Sequence, residues 1–264
     1  MTAYTKHNVL LEAKNIQLSY GDQAILRDIN FCIRDIHRPG LQQGQVVSLV
    51  GRSGIGKTQL FKILSGLQKP GSGTVTIYGK KNVEAGDMGV IFQNYYMFEW
   101  RTIFSSLKLA AAMNPALKNQ EDAMIRHYAA TFHIEEVLKK YPLQLSGGQR
   151  QRASIILQLL KGSDFLLLDE PFSGLDICVL DKVTELLVQV SLSDEKKTLI
   201  IVSHDISTAV AISDTVLILG NEPGKNGATI KKEIDLIERN LAWNPGIKKE
   251  KVFADTVEEI KSWL

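Results

Sequence analysis

Eight consecutive residues constrain this chain more than anything else in it. Gly51-Arg52-Ser53-Gly54-Ile55-Gly56-Lys57-Thr58 sets two glycines with four residues between them and follows the second with Lys and Thr. The glycines let the backbone curl until its N–H groups face a polyphosphate. A helix beginning at Lys57 would add its positive N-terminal end. Lys57 would then reach the β- and γ-phosphates, and the Thr58 hydroxyl would meet Mg²⁺. The flanks fit: Gln45–Val50 is a β-branched run that reads as a buried strand, and Lys57–Leu67 reads as a helix closed by Gly66 and the Pro70-Gly71 turn. A chance glycine turn is the bland alternative, and the motifs further along count against it.

Further strands are expected at Val9–Ser19, Ala24–Ile33, Thr74–Tyr78, Gly89–Phe92, Phe165–Leu168, Thr198–Val202 and Thr215–Leu219. Strands alternating with helices imply right-handed crossovers and a largely parallel sheet, so the fold class is α/β. Residues 104–142 interrupt the alternation. They are helical in character, with Pro115 as a break and Ile125–Lys140 as an amphipathic run, and should form a subdomain spanning about residues 95–160. Residues 221–264 are charged and weakly helical and are expected as a C-terminal appendage to a main domain over 1–220.

Two more segments carry chemistry. Phe165-Leu166-Leu167-Leu168-Asp169-Glu170 is a buried strand ending in two acids, at the end where an open α/β sheet binds its ligand. Asp169 would hold Mg²⁺, and Glu170 would orient or deprotonate an attacking water. In Leu145-Ser146-Gly147-Gly148-Gln149, Ser146 and Gln149 have capping-box spacing and should start a helix. Ala153, Ile156, Leu157 and Leu160 mark one face of that helix. A second helix start suited to an anion, inside one domain, has an obvious use only if it serves a different nucleotide.

With these motifs in place the chain resembles the ABC ATPase family over about residues 9–220. The resemblance rests on Tyr20, which looks like the family's adenine-stacking aromatic, on the P-loop, and on Gln93 of the glutamine loop. It also rests on the Leu145–Gln149 signature, on Asp169–Glu170, on Ser173-Gly174-Leu175-Asp176, and on His204 after the strand Thr198–Val202. It implies a P-loop NTPase core with a mixed, mainly parallel sheet, an antiparallel β subdomain and a helical subdomain. It further implies ATP and Mg²⁺ as cofactors, with Gln93 linking the metal to a partner and His204 contacting the γ-phosphate. Two such domains would pair head to tail, so that Ser146 and the amides of Gly147, Gly148 and Gln149 complete the partner's site, and Asp176 is a further implied nucleotide-binding residue. Transmembrane permease subunits are the other implied partners. The stretch Tyr95–Thr102 and the region Asn221–Lys225 resemble importer ATPases of the nitrate, sulfonate and taurine group. The ATPase of an exporter or lipid-trafficking complex, or a non-transport member, is the alternative.

Composition sharpens the exclusions. Lys and Arg total 31 against 29 Asp and Glu, a net charge of +2, which gives no argument for a nucleic-acid partner. The longest apolar runs are far too short to span a bilayer, and Met1–Leu10 is too polar for a signal peptide. The expected location is cytoplasmic, peripheral on the cytoplasmic face of the membrane through a partner. Two cysteines, Cys32 and Cys178, make neither a metal spacing nor a disulfide framework. Three departures from the family pattern stand out. Ile33–Gln43 is longer than the usual turn and, with Pro39 and Gly40, is expected as an exposed loop. Ile155-Ile156-Leu157-Gln158 lacks a common Arg-Ala pair. Gln59 stands where relatives often have Thr or Ser.

Overall fold

A computed structural model describes residues 4–38, 44–79, 81–172, 184, 185, 187, 188, 190, 197–242 and 246–264. Pro39, Gly40, Cys178 and the Ser173–Asp176 loop lie outside the described residues, so the expectations placed on them have no structural counterpart here. The strands are β1 (Thr5–Tyr20), β2 (Gln23–His37), β3 (Gln45–Val50), β4 (Ser72–Ile77), β5 (Lys81–Asn82), β6 (Gly89–Ile91), β7 (Phe165–Asp169), β8 (Thr198–Ser203), β9 (Thr215–Asn221) and β10 (Ala228–Asp235). The helices are α1 (Lys57–Leu64), α2 (Ile103–Ala112), α3 (Glu121–Thr131), α4 (Gly147–Lys161), α5 (Ile206–Ile212) and α6 (Lys251–Trp263).

The strands join in a single ten-stranded sheet in the order β5-β4-β1-β2-β10-β9-β3-β8-β7-β6. From β9 to β6 every neighbour is parallel. From β5 to β2, and at β10 against β9, the pairing is antiparallel. A parallel sheet must be covered on both faces, and the side chains of its strands divide accordingly. Leu166, Leu168, Leu199 and Ile201 pack toward the α2–α4 block, whereas Phe165, Leu167, Ile200 and Val202 pack against α1 and the antiparallel strands. This two-sided burial explains why β7 and β8 read as unbroken apolar runs.

The block between β6 and β7 is helical, as expected, and Pro115 starts a 3₁₀ turn between α2 and α3. The amphipathic run expected over Ile125–Lys140 is interrupted. Helix α3 ends at Thr131, His133 takes a left-handed φ of 51°, and a separate 3₁₀ turn follows at Glu135–Val137. Helix α1 stops at Leu64, short of the expected Leu67, because Gly66 turns the chain with φ 72°.

Two expectations need correction. Ile33–His37 is not an exposed loop but the end of β2, paired with β1 at Leu11↔Ile33, Lys6↔Ile36 and Thr5↔His37. Ile33 and Ile36 are buried, and so is Arg38, whose guanidinium meets the fully buried Asp214 carboxylate. Asp214 also accepts from Val46 N at 2.8 Å, so the pair ties the end of β2 to the first strand of the parallel core. The other correction concerns 221–264, read as weakly helical. Ala228–Asp235 is a strand that pairs with β9 along its length and touches β2 at Ala228↔Leu26. Its charged residues hide this from the sequence: Lys232 and Glu233 are exposed and Lys231 is half-buried with its ammonium donating to Trp263 O at 3.0 Å, while Ala228 and Ile234 are buried. Helix α6 then covers β9 and α5 through Phe253, Val257 and Ile260.

Candidate functional site

Strand direction gathers the site. Because β6, β7, β8 and β3 are parallel, the residues that follow them emerge at one edge of the sheet, the edge where open α/β sheets bind ligands. Those residues are Gln93 after β6, Asp169 and Glu170 at the end of β7, His204 after β8, and the phosphate loop after β3. They surround a cleft of about 460 Å³ lined by Tyr20, Ser53, Gly54, Gly56, Lys57, Thr58, Gln93, Glu170 and His204, together with Ile25 and Gln59.

The loop that the sequence pattern demands is present. Gly56 caps α1 with φ 107°, and a Cβ there would lie 3.1 Å from Ile25 Cγ2 and Leu26 Cδ2. A side chain at position 56 would be strained twice over, by its φ and by β2. Ile55 N donates to Arg52 O at 3.3 Å, closing the turn. The Ile55 side chain turns away from the cleft into the core beside α1. Lys57 Nζ donates to Gly51 O at 3.0 Å and to Arg52 O at 3.1 Å, so the ammonium lies folded across the hollow of its own loop.

Glu170 is the junction of the site. Its Oε1 lies 3.6 Å from Lys57 Nζ, and its Oε2 lies 2.7 Å from His204 Nδ1 and accepts from His204 N at 3.3 Å. Its backbone is left-handed, φ 49°, a conformation that costs about 1–3 kcal/mol for a residue of this kind and aims the side chain out of the strand line. Glu170 N donates to Val202 O at 2.8 Å, which holds that turn against β8. Asp169 sits deeper. Burial and the neighbouring Glu170 raise its pKa above the ordinary carboxylate value, while Lys57 and Lys62 pull it back. Its Oδ1 is buried without a hydrogen-bond partner among the described residues. A buried carboxylate oxygen left unpaired beside a threonine-bearing phosphate loop fits a divalent cation.

The signature segment forms the expected capping box. Ser146 Oγ accepts from Gln149 N at 3.3 Å, and Gln149 Oε1 accepts from Ser146 N at 3.0 Å. None of Ser146, Gly147, Gly148 or Gln149 lines the cleft. A Cβ added at Gly147 or Gly148 would meet nothing within 4 Å, so this helix start faces open space. Of the residues named from the sequence, the structure therefore brings together Tyr20, the loop, Gln93, Asp169, Glu170 and His204. It keeps the Ser146–Gln149 set apart, and Asp176 lies outside the described residues.

Sequence reasoning missed Ile25, whose place in the cleft follows from the β1–β2 hairpin that sets it near Tyr20. It also missed Gln151, which is buried on α4 and donates to Pro171 O at 2.9 Å, immediately after Glu170. Gln158, one of the departures, donates to Val90 O at 3.1 Å and fastens α4 to β6.

A phosphate loop, an acid pair at a strand end and a histidine following the adjoining parallel strand define a P-loop nucleoside-triphosphate hydrolase. The comparisons narrow this. The family model described as ABC transporter matches residues 37–173, more than half of the chain. The chain is 36% identical over 200 residues to the ABC transporter ATP-binding protein YtlC of Bacillus subtilis, covering 75% of this chain and 76% of that one. It is 30% identical to the bicarbonate transport ATP-binding protein CmpD of Synechococcus elongatus, covering 83% and 78%. It is 32% identical to the nitrate import ATP-binding protein NrtC of the same organism, covering 77% of this chain and 30% of NrtC. Among solved structures, cbiO1 from Clostridium perfringens superposes with a TM-score of 0.72 at 23% identity, covering 89% and 91%, and agrees in fold. The chain belongs to the ABC transporter family, as an ATP-binding and ATP-hydrolysing subunit.

Proposed function

We propose that this subunit energises import of a small solute, working as a head-to-tail pair of cassettes held beneath transmembrane permease subunits on the cytoplasmic face of the membrane. The observation that carries the pairing is the separation of two anion-binding constellations. The cleft holds the phosphate loop, while the open helix start at Ser146 lies outside it. In a head-to-tail pair each helix start would close the other chain's cleft. Import is supported by similarity to bicarbonate and nitrate transport proteins. No helix among the described residues is long and apolar enough to cross a membrane, so the permease would come from other chains.

The geometry supports the following roles. The loop amides and the N-terminus of α1 would bind the polyphosphate, and Lys57 would leave its two carbonyl partners to meet the β- and γ-oxygens. Thr58 and Asp169 would hold Mg²⁺, with Gln93 at its outer side; the ion supplies charge neutralisation on the phosphates. Glu170 would accept hydrogen bonds from the attacking water. His204, fixed through Glu170, would contact the γ-phosphate. Tyr20 would stack on the adenine.

The pairing has a direct test. With Glu170→Gln present, ATP should convert the isolated chain from monomer to dimer in sedimentation velocity, and ADP should not. A monomer at saturating ATP and high protein concentration, with or without the permease, would remove the proposal.

The segment after Gln93 is proposed to dock the permease. Tyr95 and Met97 pack against the helical block, and burial pushes the Tyr95 hydroxyl up to about 12. The alternate residues Tyr96, Phe98 and Trp100 are exposed at 72%, 45% and 75%. Leu143, also exposed at 75%, belongs to the same block, where Ile103 N donates to Lys140 O. Large exposed aromatics beside a nucleotide-sensing glutamine suit a short permease helix. Changing Tyr96 and Trp100 together to Ala should leave melting temperature and basal hydrolysis intact and weaken permease pull-down by about 2 kcal/mol. Joint loss of melting temperature and basal turnover would instead assign both rings to the core.

A further inference from the structure

We infer that Gln59 and Gln68 are positioning residues for Tyr20, holding its ring at the mouth of the cleft, where it would stack on a planar base. This deepens the proposed function and rests on its reading of Tyr20 as the base-stacking aromatic.

Tyr20 is the last residue of β1 and is 53% exposed, so packing alone leaves its ring free to swing into solvent. The hydroxyl is nevertheless tied on both sides. It donates to Gln59 Oε1 at 3.0 Å and accepts from Gln68 Nε2 at 3.0 Å. A phenol has one proton to give and lone pairs to receive, and the two amides use one of each.

Both amides come from α1 or its exit. Gln59 follows Thr58 directly and lines the cleft beside Tyr20 and Ile25, and Gln68 follows the turn at Gly66. The helix whose first turn would face the phosphates therefore also sets where the ring stands. Base and phosphate positions are thereby registered to one element. The side chain of Gln59 is long enough to carry its amide carbonyl to the phenol, which a hydroxyl as short as that of Ser or Thr would not reach. The ring gains no hydrogen-bond readout of the base, so the clamp raises affinity for nucleotides over bare polyphosphate without discriminating between purines.

Binding of ATP and of inorganic tripolyphosphate, each with Mg²⁺, is measured on the full chain and on Tyr20→Ala, Tyr20→Phe, Gln59→Ala and Gln68→Ala, with melting curves for each. Tyr20→Ala should weaken ATP about five- to hundredfold, the range for loss of one base–aromatic stack. Tyr20→Phe keeps the ring and loses both ties. It and the two glutamine variants should weaken ATP about three- to tenfold, the range for releasing one ordered side chain. The loss should appear in KM for ATP rather than in kcat, and tripolyphosphate affinity should not change. If Tyr20→Ala weakens ATP but Tyr20→Phe and the glutamine variants do not, the clamp is overturned and the stacking role stands. If Tyr20→Ala leaves ATP affinity unchanged, the stacking role falls and the clamp with it. If Gln59→Ala weakens tripolyphosphate as much as ATP, Gln59 serves the phosphates and the inference is overturned.

Discussion

Glu170→Gln should reduce steady-state ATP hydrolysis roughly a hundredfold or more while leaving ATP affinity near that of the unmodified chain, as expected for loss of a general base. The substitution keeps the shape of the side chain and its capacity to accept from His204 N, now at 3.3 Å from Oε2. What it removes is the negative charge that faces Lys57 at 3.6 Å and the second basic oxygen that a water would need. Phosphate release and a nucleotide titration on the same preparation read both quantities. Turnover within a few-fold of normal would transfer the water-orienting role to another group, and His204 would be the next to test. A joint loss of binding and turnover would mean that Glu170 serves the architecture of the cleft instead.

Arg38→Ala should cost about 3–5 kcal/mol of folding stability, although the residue lies far from the cleft. The guanidinium is 5% exposed and its partner Asp214 is 0% exposed, so deletion removes the cation that faces a carboxylate in the interior. Removing one partner of a buried pair costs more than replacing both. Arg38→Met combined with Asp214→Asn should therefore recover much of the loss, since Asn can still accept from Val46 N. Urea denaturation of the single and double variants measures this. Equal midpoints for Arg38→Ala and the unmodified chain would show that the pair contributes nothing net. A double variant worse than either single one would contradict the account of a buried charge that has lost its counter-ion.

These two residues also mark the limit of what could be read before the fold was known. Glu170 announced itself because chemistry and secondary structure coincide there: an apolar strand ends in acids, and the neighbouring phosphate loop says why. The Ser146 capping box was equally legible, since both of its hydrogen bonds close over three residues. Arg38 was not legible. Its partner is 176 positions away, and Pro39 and Gly40 beside it suggested an exposed turn. Strand β10 escaped for a related reason. It stands where the antiparallel half of the sheet meets the parallel half, and its run of charges has no apolar period. The tie between Tyr20 and Gln59 spans 39 positions, and no local pattern foretells it.

The unbroken sheet has a mechanical consequence. Tyr20 stands on β1 and the phosphate loop on β3, and the strands between them in the order are β2, β10 and β9, each joined to the next by backbone hydrogen bonds. Such a lattice is a plate whose β2–β10 seam rests on the one register pair Ala228↔Leu26, and the two proposed grips on a nucleotide are joined through it. The α2–α4 block meets the plate through side-chain packing, with Gln158 on Val90 O of β6 a polar fastening. Apolar contacts can slide where a ladder can only shear. On the proposed reading, work released at the γ-phosphate would leave the molecule as a rocking of that block against the sheet, with the exposed aromatics beside Gln93 on the block's side.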